Sequence, residues 1–511
     1  MSKEIILRCD YFQGSGIGHL KRISILSSAL HKRGYRTVVL IDDDPPLVNT
    51  FNLEVVYKKI PLKNFNELDD ANFILNFANL RDAKIIIGDS YRITKKWVAR
   101  LKDNGLKVIL LDDFNKNFGA DLSINYTPLN KFCKSSTFHE QIRGPEFFLT
   151  DSKLSKNMEF SHKRIVAHAG GNGDYSKAEI IYSNLASFSD KEGIEVDWIC
   201  PNLSSLKTLK KFININENDK ILPWQKDSSN LWRKYQIVVG PSSTSLYESI
   251  IQGTLPISFP ISKTQCTELN DWLSLGHSLH LNNYEKENSH CINLIFELAI
   301  NKYQELLNIL SEHSKVLDGN GVERVIAAVE ALIKNSKNRV LKKETKFFKK
   351  GVLKCSIEDS EAFLKARNAK RVRAMSTNED HIIAWPEHLK WWLNKDIDKY
   401  LYLENLNFPE AFFWVRKWNI CNKYYLTAGW FPSSENTSFT SILKVLDWQV
   451  KYYAKKCKNF TWIATVKKSN KAAIAINRRV GFVDAGNDTY NVLPILFPNT
   501  DNDFKVFELK L

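Results

Sequence analysis

The stretch LRCDYFQGSGIGHLKR carries the first residues able to do chemistry. It sets Gly14, Gly16 and Gly18 between an apolar run and a helical pattern, with His19 at the start of the helix. Glycines permit positive φ and close backbone approach, and the free N–H groups of a helix N-terminus favour an anionic ligand. The positive end of the helix dipole disfavours a protonated imidazole, which leaves His19 able to accept a proton. These residues alone leave two roles open for the histidine, cap or base. A second candidate is PSSTSLYESI, a Ser/Thr-rich loop feeding a helix that carries Glu248. Taken alone, that glutamate reads as an exposed helix carboxylate. Asp112 and Asp113 read as strand-end residues with a structural role.

Such loops need a scaffold that brings them together. Over the first 155 residues short apolar runs (KEIILRC, RTVVLIDD, KIIIGD, KVILLDD) alternate with helical patterns, and a second series from 156 to 335 repeats the alternation (KRIVAHAGG, EVDWIC, QIVVGP, LPISFP). The alternation predicts parallel sheets covered by helices on both faces, so α/β class with two doubly wound, Rossmann-like lobes. A lysine-rich stretch, 336–354, then reads as a linker. From 355 to 511 helices give way to aromatic-rich strands (AFFWVRKW, KYYLTAGWF, FTWIATV), which predicts a separate α+β domain. No run is long and apolar enough for a membrane helix and the N-terminus lacks signal-peptide architecture, so the expected location is cytoplasmic. Eight cysteines without a CxxC pair argue against a zinc knuckle or a disulfide framework. The net charge of +15 is spread along the chain without a groove-reading motif, which argues against a nucleic-acid partner.

Several short motifs, in order, resemble one family. Arg8-Cys9-Asp10, Gly16-Ile17-Gly18-His19 and Arg22 are similar to the opening of the UDP-2,4-diacetamido-2,4,6-trideoxy-β-L-altropyranose hydrolases of pseudaminic acid biosynthesis, GT-B-fold relatives of the MurG glycosyltransferases. Asp89-Ser90-Tyr91, Asp112-Asp113, Asn125, the run Ala169 to Asp174, the run Pro241 to Glu248, Gln265 and the run Asp318 to Arg324 continue the resemblance over residues 4 to 330. Pro241 and Thr264 depart from the family pattern. The resemblance implies a GT-B fold and a UDP-sugar substrate, with no metal required. Gly16, Gly18, Arg22, Gly170, Gly171, Ser243, Thr244, Glu248 and Gln265 would bind that substrate, with Glu248 on the ribose hydroxyls and Ser243 and Thr244 on the diphosphate. His19 would activate the water that attacks the anomeric carbon, with Tyr91 placing sugar or water, and the products would be free sugar with inverted configuration plus UDP. The same motifs also suit a UDP-dependent GT-B glycosyltransferase, which differs in needing an acceptor.

In the last domain Arg367-Asn368, Arg371, Arg373, Ser376, His388 and Trp391, followed by the runs Val466 to Asn470 and Asn477 to Phe482, resemble the GNAT N-acetyltransferases acting on the 4-amino sugar of the same pathway. That implies acetyl-CoA as co-substrate, held by Asn436, Ser438, Ser441 and Asn470, with Glu435, Tyr490 and His388 as candidates for the acyl transfer. The aligned CoA loop, Ser434 to Ser441, has no glycine, and the tyrosine usual before Gly481-Phe482 is absent. The alternative is a catalytically degenerate GNAT module. With both resemblances, the chain reads as a bifunctional enzyme in which one domain makes the substrate of the other.

Overall fold

The computed structural model describes residues 4–12, 17–43, 54–61, 64–114, 116–128, 141–152, 165–171, 173–223, 231–334, 350–404, 408–435 and 437–511. The chain forms two compact units, Met1–Lys343 and Glu344–Leu511.

The first unit holds two lobes. In the N-terminal lobe β1 (Glu4–Cys9), α1 (Gly18–Lys32), β2 (Arg36–Ile41), β3 (Tyr57–Lys59), α2 (Glu67–Arg81), β4 (Ile85–Asp89), α3 (Lys95–Asp103), β5 (Lys107–Leu111), β6 (Leu122–Asn125) and β7 (Gln141–Arg143) follow in turn. Their strands pair in parallel in the order β3-β2-β1-β4-β5-β6-β7. Ile5, Ile6 and Leu7 are all buried because helices cover both faces, which explains the unbroken apolar run of β1. The second lobe comprises β8 (Ile165–His168), α4 (Glu179–Glu192), β9 (Val196–Ile199), α5 (Leu203–Leu209), β10 (Lys220–Leu222), β11 (Ile237–Pro241), α6 (Thr244–Ile251), β12 (Leu255–Phe259), α7 (Lys263–Leu273), α8 (Ser289–Asn301), α9 (Tyr303–Ser314) and α10 (Gly321–Ile333). Its parallel sheet runs β10-β9-β8-β11-β12.

α10 packs away from its own lobe. Val322, Val325, Ile326 and Val329 join the core formed by Ile5, Leu7, Leu26 and Ile87, so the end of the unit returns to the first lobe. The turn before it is built for this crossing. Arg324 donates to Asp318 at 2.7 Å and to the Glu146 carbonyl at 2.9 Å, and a Cβ on Gly321 would meet the Phe148 carbonyl oxygen at 2.1 Å. The run Asp318 to Arg324 is therefore a clasp between the lobes and does not line the cleft described below. Two doubly wound lobes joined in this way form the GT-B architecture.

The second unit contains β13 (Gly351–Lys354), α11 (Ser360–Asn368), α12 (Lys370–Arg373), α13 (Trp385–Trp392), β14 (Ile397–Leu403), β15 (Ala411–Ile420), β16 (Lys423–Pro432), α14 (Phe439–Lys456), β17 (Phe460–Lys467), α15 (Lys471–Arg479), β18 (Val483–Asp484), α16 (Asn487–Leu496) and β19 (Phe504–Lys510). The sheet order is β13-β14-β15-β16-β17-β19-β18, antiparallel except for the β16–β17 pair. That pair is joined from Tyr424–Phe460 to Thr427–Ile463 and no further, although β16 runs on to Pro432 and β17 to Lys467. The two strands therefore splay, and their facing edges are unpaired beyond Thr427 and Ile463. This is the α+β, GNAT-like class the sequence predicts.

Candidate active site

In an open parallel sheet the loops at the carboxyl ends of the strands part company where the strand order reverses, and a crevice opens there. The first lobe reverses between β1 and β4, and the second between β8 and β11. The loops after these four strands line a single cleft of ≈ 440 Å³. Its walls include Gly18, His19, Lys21, Arg22, Tyr91 and Asp113 from the first lobe and Gly170, Gly171, Ser243, Thr244, Glu248, Gln265 and Glu268 from the second. The two glycine loops meet: a Cβ on Gly171 would lie 3.0 Å from Ile17 Cγ1, just ahead of α1. Gly14, Gly16 and Asn172 lie outside the described residues.

His19 sits in the first turn of α1, 13% exposed at its side chain. Register places Cys9 of β1 beside Asp89 of β4, so the loop that presents His19 starts next to the Asp89 carboxylate. His19 Nδ1–H donates to Asp89 Oδ1 at 2.7 Å. A carboxylate only accepts, so this bond places a proton on Nδ1 and leaves Nε2 as the ring nitrogen that Asp89 does not engage; Arg22 Nη2 lies 3.1 Å from the same Nδ1. Asp89 is fully buried, and burial alone would raise its pKa. The Arg22 guanidinium, with the hydrogen bonds from Arg22 and His19, more than offsets this and holds it down at about 2. The Tyr91 ring meets the imidazole edge-on at 4.4 Å, and its hydroxyl donates to Asp113 Oδ2 at 2.6 Å.

Arg22, one turn along α1, is the buried hub. Its Nε donates to Asp89 at 2.5 Å, and its Nη1 to Asp113 at 2.9 Å and to the Tyr126 hydroxyl at 2.5 Å; Nη2 also pairs with Asp89. The sequence resemblance gave Arg22 to the substrate. In the structure its donors are committed to the two aspartates and Tyr126, so its direct role is to hold Asp89 and Asp113 in place. Asp112 and Asp113 divide. Asp112 accepts from the N–H groups of Phe114 (3.2 Å) and Asn117 (2.7 Å), a strand-end role, whereas Asp113 faces the cleft.

Across the cleft Ser243 precedes α6 as its N-cap, and Thr244 and Ser245 form the first turn. Glu248, one turn on, is 3% exposed rather than on a solvated face. Its Oε1 pairs with the Lys21 ammonium from α1, and its Oε2 accepts from Trp232 Nε1 at 3.1 Å. Gln265 lines the cleft while its Oε1 accepts from the Ile261 N–H at 2.9 Å.

Two further cleft residues, His168 and Glu268, carry no signal of function in the sequence, and Ser242 belongs to the Ser/Thr-rich run before α6. His168 closes β8; its Nδ1 accepts from the Gly170 N–H at 3.1 Å, and burial pushes its pKa down to about 4. His168 Nε2 and Ser242 Oγ are buried without a hydrogen-bond partner among the described residues, which marks them as donors able to meet a ligand. Burial, with Asp113 opposite, raises the Glu268 carboxyl to about 8, against the opposing pull of Tyr247 and Arg22.

In the second unit the candidates are scattered. His388 is fully buried on α13, among Phe363, Trp385, Trp391 and Trp392, with Nε2 against the Ser360 carbonyl at 3.1 Å and its pKa driven by burial to about 3. It is a core residue and reaches no substrate. Ser441 donates to Glu404 at 2.9 Å, and Asn470 caps α15 by accepting from the Ala473 N–H at 3.0 Å. Ser438 caps α14 by accepting from the Thr440 N–H at 3.2 Å. Glu435 and Tyr490 are exposed. Asn436 lies outside the described residues. Arg371 reaches the Ser434 carbonyl, so α12 borders the loop that leads into α14.

No protein-family model matches the chain, and no curated protein matches it. Among solved structures, it is similar to Acinetobacter baumannii MurG (12% identity, 64% of this chain and 99% of that one, TM-score 0.46). It is also similar to S. aureus MnaA with UDP (13% identity, 65% and 97%, TM-score 0.48) and to a glycosyltransferase from Rickettsia africae (10% identity, 66% and 100%, TM-score 0.45).

Proposed function

We propose that the first unit hydrolyses a UDP-amino-dideoxy sugar. The observation that carries this reading is the Asp89–His19 pair, which engages Nδ1 and leaves Nε2 as the nitrogen not held by Asp89, in the wall of a cleft whose opposite wall is the N-terminus of α6. The uridine ribose takes Glu248, and the diphosphate lies at Ser243 and Thr244, where free N–H groups stabilise the charge that grows as the leaving group departs. A water held between His19 and Tyr91 attacks the anomeric carbon from the face opposite the nucleotide. His19 Nε2 takes its proton, the C–O bond to the β-phosphate breaks with its electron pair on UDP, and the sugar leaves inverted. Asp89 stabilises the imidazolium so formed. The ordered motifs shared with the pseudaminic-pathway hydrolases favour a diacetamido-trideoxy sugar.

The second unit, in this reading, N-acetylates the 4-amino group of the UDP-sugar. Acetyl-CoA would enter the splay between β16 and β17, with its pyrophosphate at the start of α14, where Ser438 and the first N–H groups lie. Both halves are tested together by incubating the full chain with the UDP-4-amino sugar, with and without acetyl-CoA and with no acceptor, and following products by NMR. Free diacetamido sugar, formed only with acetyl-CoA and labelled at the anomeric oxygen by isotopic water, supports both. UDP release that depends on an added acceptor would replace hydrolysis by glycosyl transfer. Hydrolysis without acetylation would leave the second unit a degenerate module.

A further inference from the structure

Besides Lys177, which is exposed, the cleft has few cations to meet a diphosphate. Arg22 is committed to Asp89, Asp113 and Tyr126, and His168 is kept neutral by burial. Lys21 lies between His19 and Arg22 in sequence but points across the cleft, where its ammonium pairs with Glu248; the side chains are 11% and 4% exposed. Glu248 is four residues beyond Thr244 on α6, and helical side chains lean toward the N-terminus of their helix. The ammonium that meets its carboxylate and the first turn of α6, with Ser243, Thr244 and Ser245, line the same cleft, and the N–H groups of that turn attract an anion.

We propose that Lys21 is a transferable counter-ion for the leaving diphosphate. This rests on the nucleotide-sugar reading: ribose hydroxyls arriving at Glu248 displace Lys21, and its ammonium passes to the diphosphate a side-chain swing away. One residue then couples the two halves of the ligand. A nucleoside alone must break the Lys21–Glu248 pair without replacing it, whereas a nucleoside diphosphate offers Lys21 a new partner. The coupling runs both ways by linkage, and such couplings are typically about 5- to 150-fold.

The test is calorimetric binding of uridine, UDP and inorganic pyrophosphate to the full chain and to its Lys21→Met, Lys21→Arg and Glu248→Gln variants. Lys21→Met should weaken UDP by about tenfold or more and tighten uridine, because Glu248 no longer has a pair to break. Glu248→Gln should weaken uridine yet tighten pyrophosphate, since the ammonium is released to it, and Lys21→Arg should restore much of the UDP affinity. A residue that only braces the lobes would move uridine and UDP in the same direction, and that result overturns the proposal, as does unchanged pyrophosphate binding in Glu248→Gln. The pyrophosphate arm decides the matter even where Lys21→Met fails to fold. Wild-type protein that binds neither uridine nor UDP would instead overturn the nucleotide reading itself.

Discussion

Replacing Asp89 by Asn tests the catalytic reading at its base. The side chain keeps its shape and loses its charge. A carboxyl held at about 2 rather than 3.8 is stabilised as the anion by about 2 kcal/mol, at about 1.36 kcal/mol per pH unit. Because the folded pKa is the lower one, that contribution is complete above about pH 4 and is lost only as pH falls toward 2. At neutral pH, Asp89→Asn should therefore cost on the order of 2 kcal/mol of stability, plus a part arising from Arg22, which keeps only Asp113 as a carboxylate partner. The kinetic loss should be larger. The imidazolium formed in the transition state loses a counter-charge 2.7 Å away, and the tautomer that exposes Nε2 is no longer enforced. Losses of about 10²- to 10⁴-fold in kcat are usual for a removed general base or its orienting carboxylate. Asp89 does not line the cleft, so KM for the UDP-sugar and the affinity for UDP should change little. UDP release without acceptor, with UDP calorimetry and urea denaturation alongside, separates the two effects. A kcat within threefold of wild type, in a variant that shows the stability loss, would refute the Asp89–His19 base; parallel loss of kcat and UDP affinity would point to a distorted site instead.

Glu268, at about 8, carries its proton at pH 7; on ionising it adds a negative charge beside Asp113 in a cleft that must take a diphosphate. UDP affinity should fall between pH 7 and 9, and Glu268→Gln should flatten that limb in calorimetric titrations. Tyr91→Phe removes the 2.6 Å bond to Asp113, a charge-assisted bond of about 1.5–3 kcal/mol, so kcat should fall about 10- to 100-fold with UDP binding retained in the same assays. The buried, neutral His168 and His280 protonate near 4 and 3 in the folded chain but near 6.5 once unfolded. The unfolded state takes up protons first, so stability is full above about pH 6.5 and declines as pH falls. Urea melts at pH 5 should show each histidine withdrawing about 2 kcal/mol from the first unit relative to pH 7.5, and His168→Gln should remove its share.

How far the sequence could anticipate the site depended on where each partner lay. The β-α alternation and the switch to aromatic strands after Cys355 are long-range patterns, and they correctly predict two parallel lobes and an α+β domain. Gly18 and His19 are legible because a glycine loop, a helix start and an imidazole coincide within a few residues. The base's partner is not, because Asp89 is 70 residues away and is recruited only by the β1–β4 pairing. Lys21, Glu248 and Glu268 have the appearance of solvated helix charges in sequence, and only the approach of two lobes buries the first two and half-buries the third. The misplacements have the opposite cause. Ser441 and Asn470 have side chains suited equally to a ligand and to an internal hydrogen bond, and the structure uses them internally. His388 sits in an aromatic stretch, HLKWW, whose helical spacing turns it toward Phe363 and Trp392.

The first turn of α1 gives the site its logic. Successive helical residues point about 100° apart, so His19, Lys21 and Arg22 must face different structures, and here each direction is taken. His19 meets Asp89 and faces the cleft, Lys21 crosses to Glu248 in the other lobe, and Arg22 runs inward to Asp89 and Asp113. The helix therefore ties His19 to the second lobe's wall of the cleft through rigid backbone rather than through a flexible loop. A nucleotide that loosened Lys21 would remove the tie between α1 and α6 while leaving the Asp89–His19–Arg22 set intact, because those bonds all lie within the first lobe. Opening for exchange and keeping the base aligned then become separable demands, because two residues along the helix turn the side chains about 200° apart.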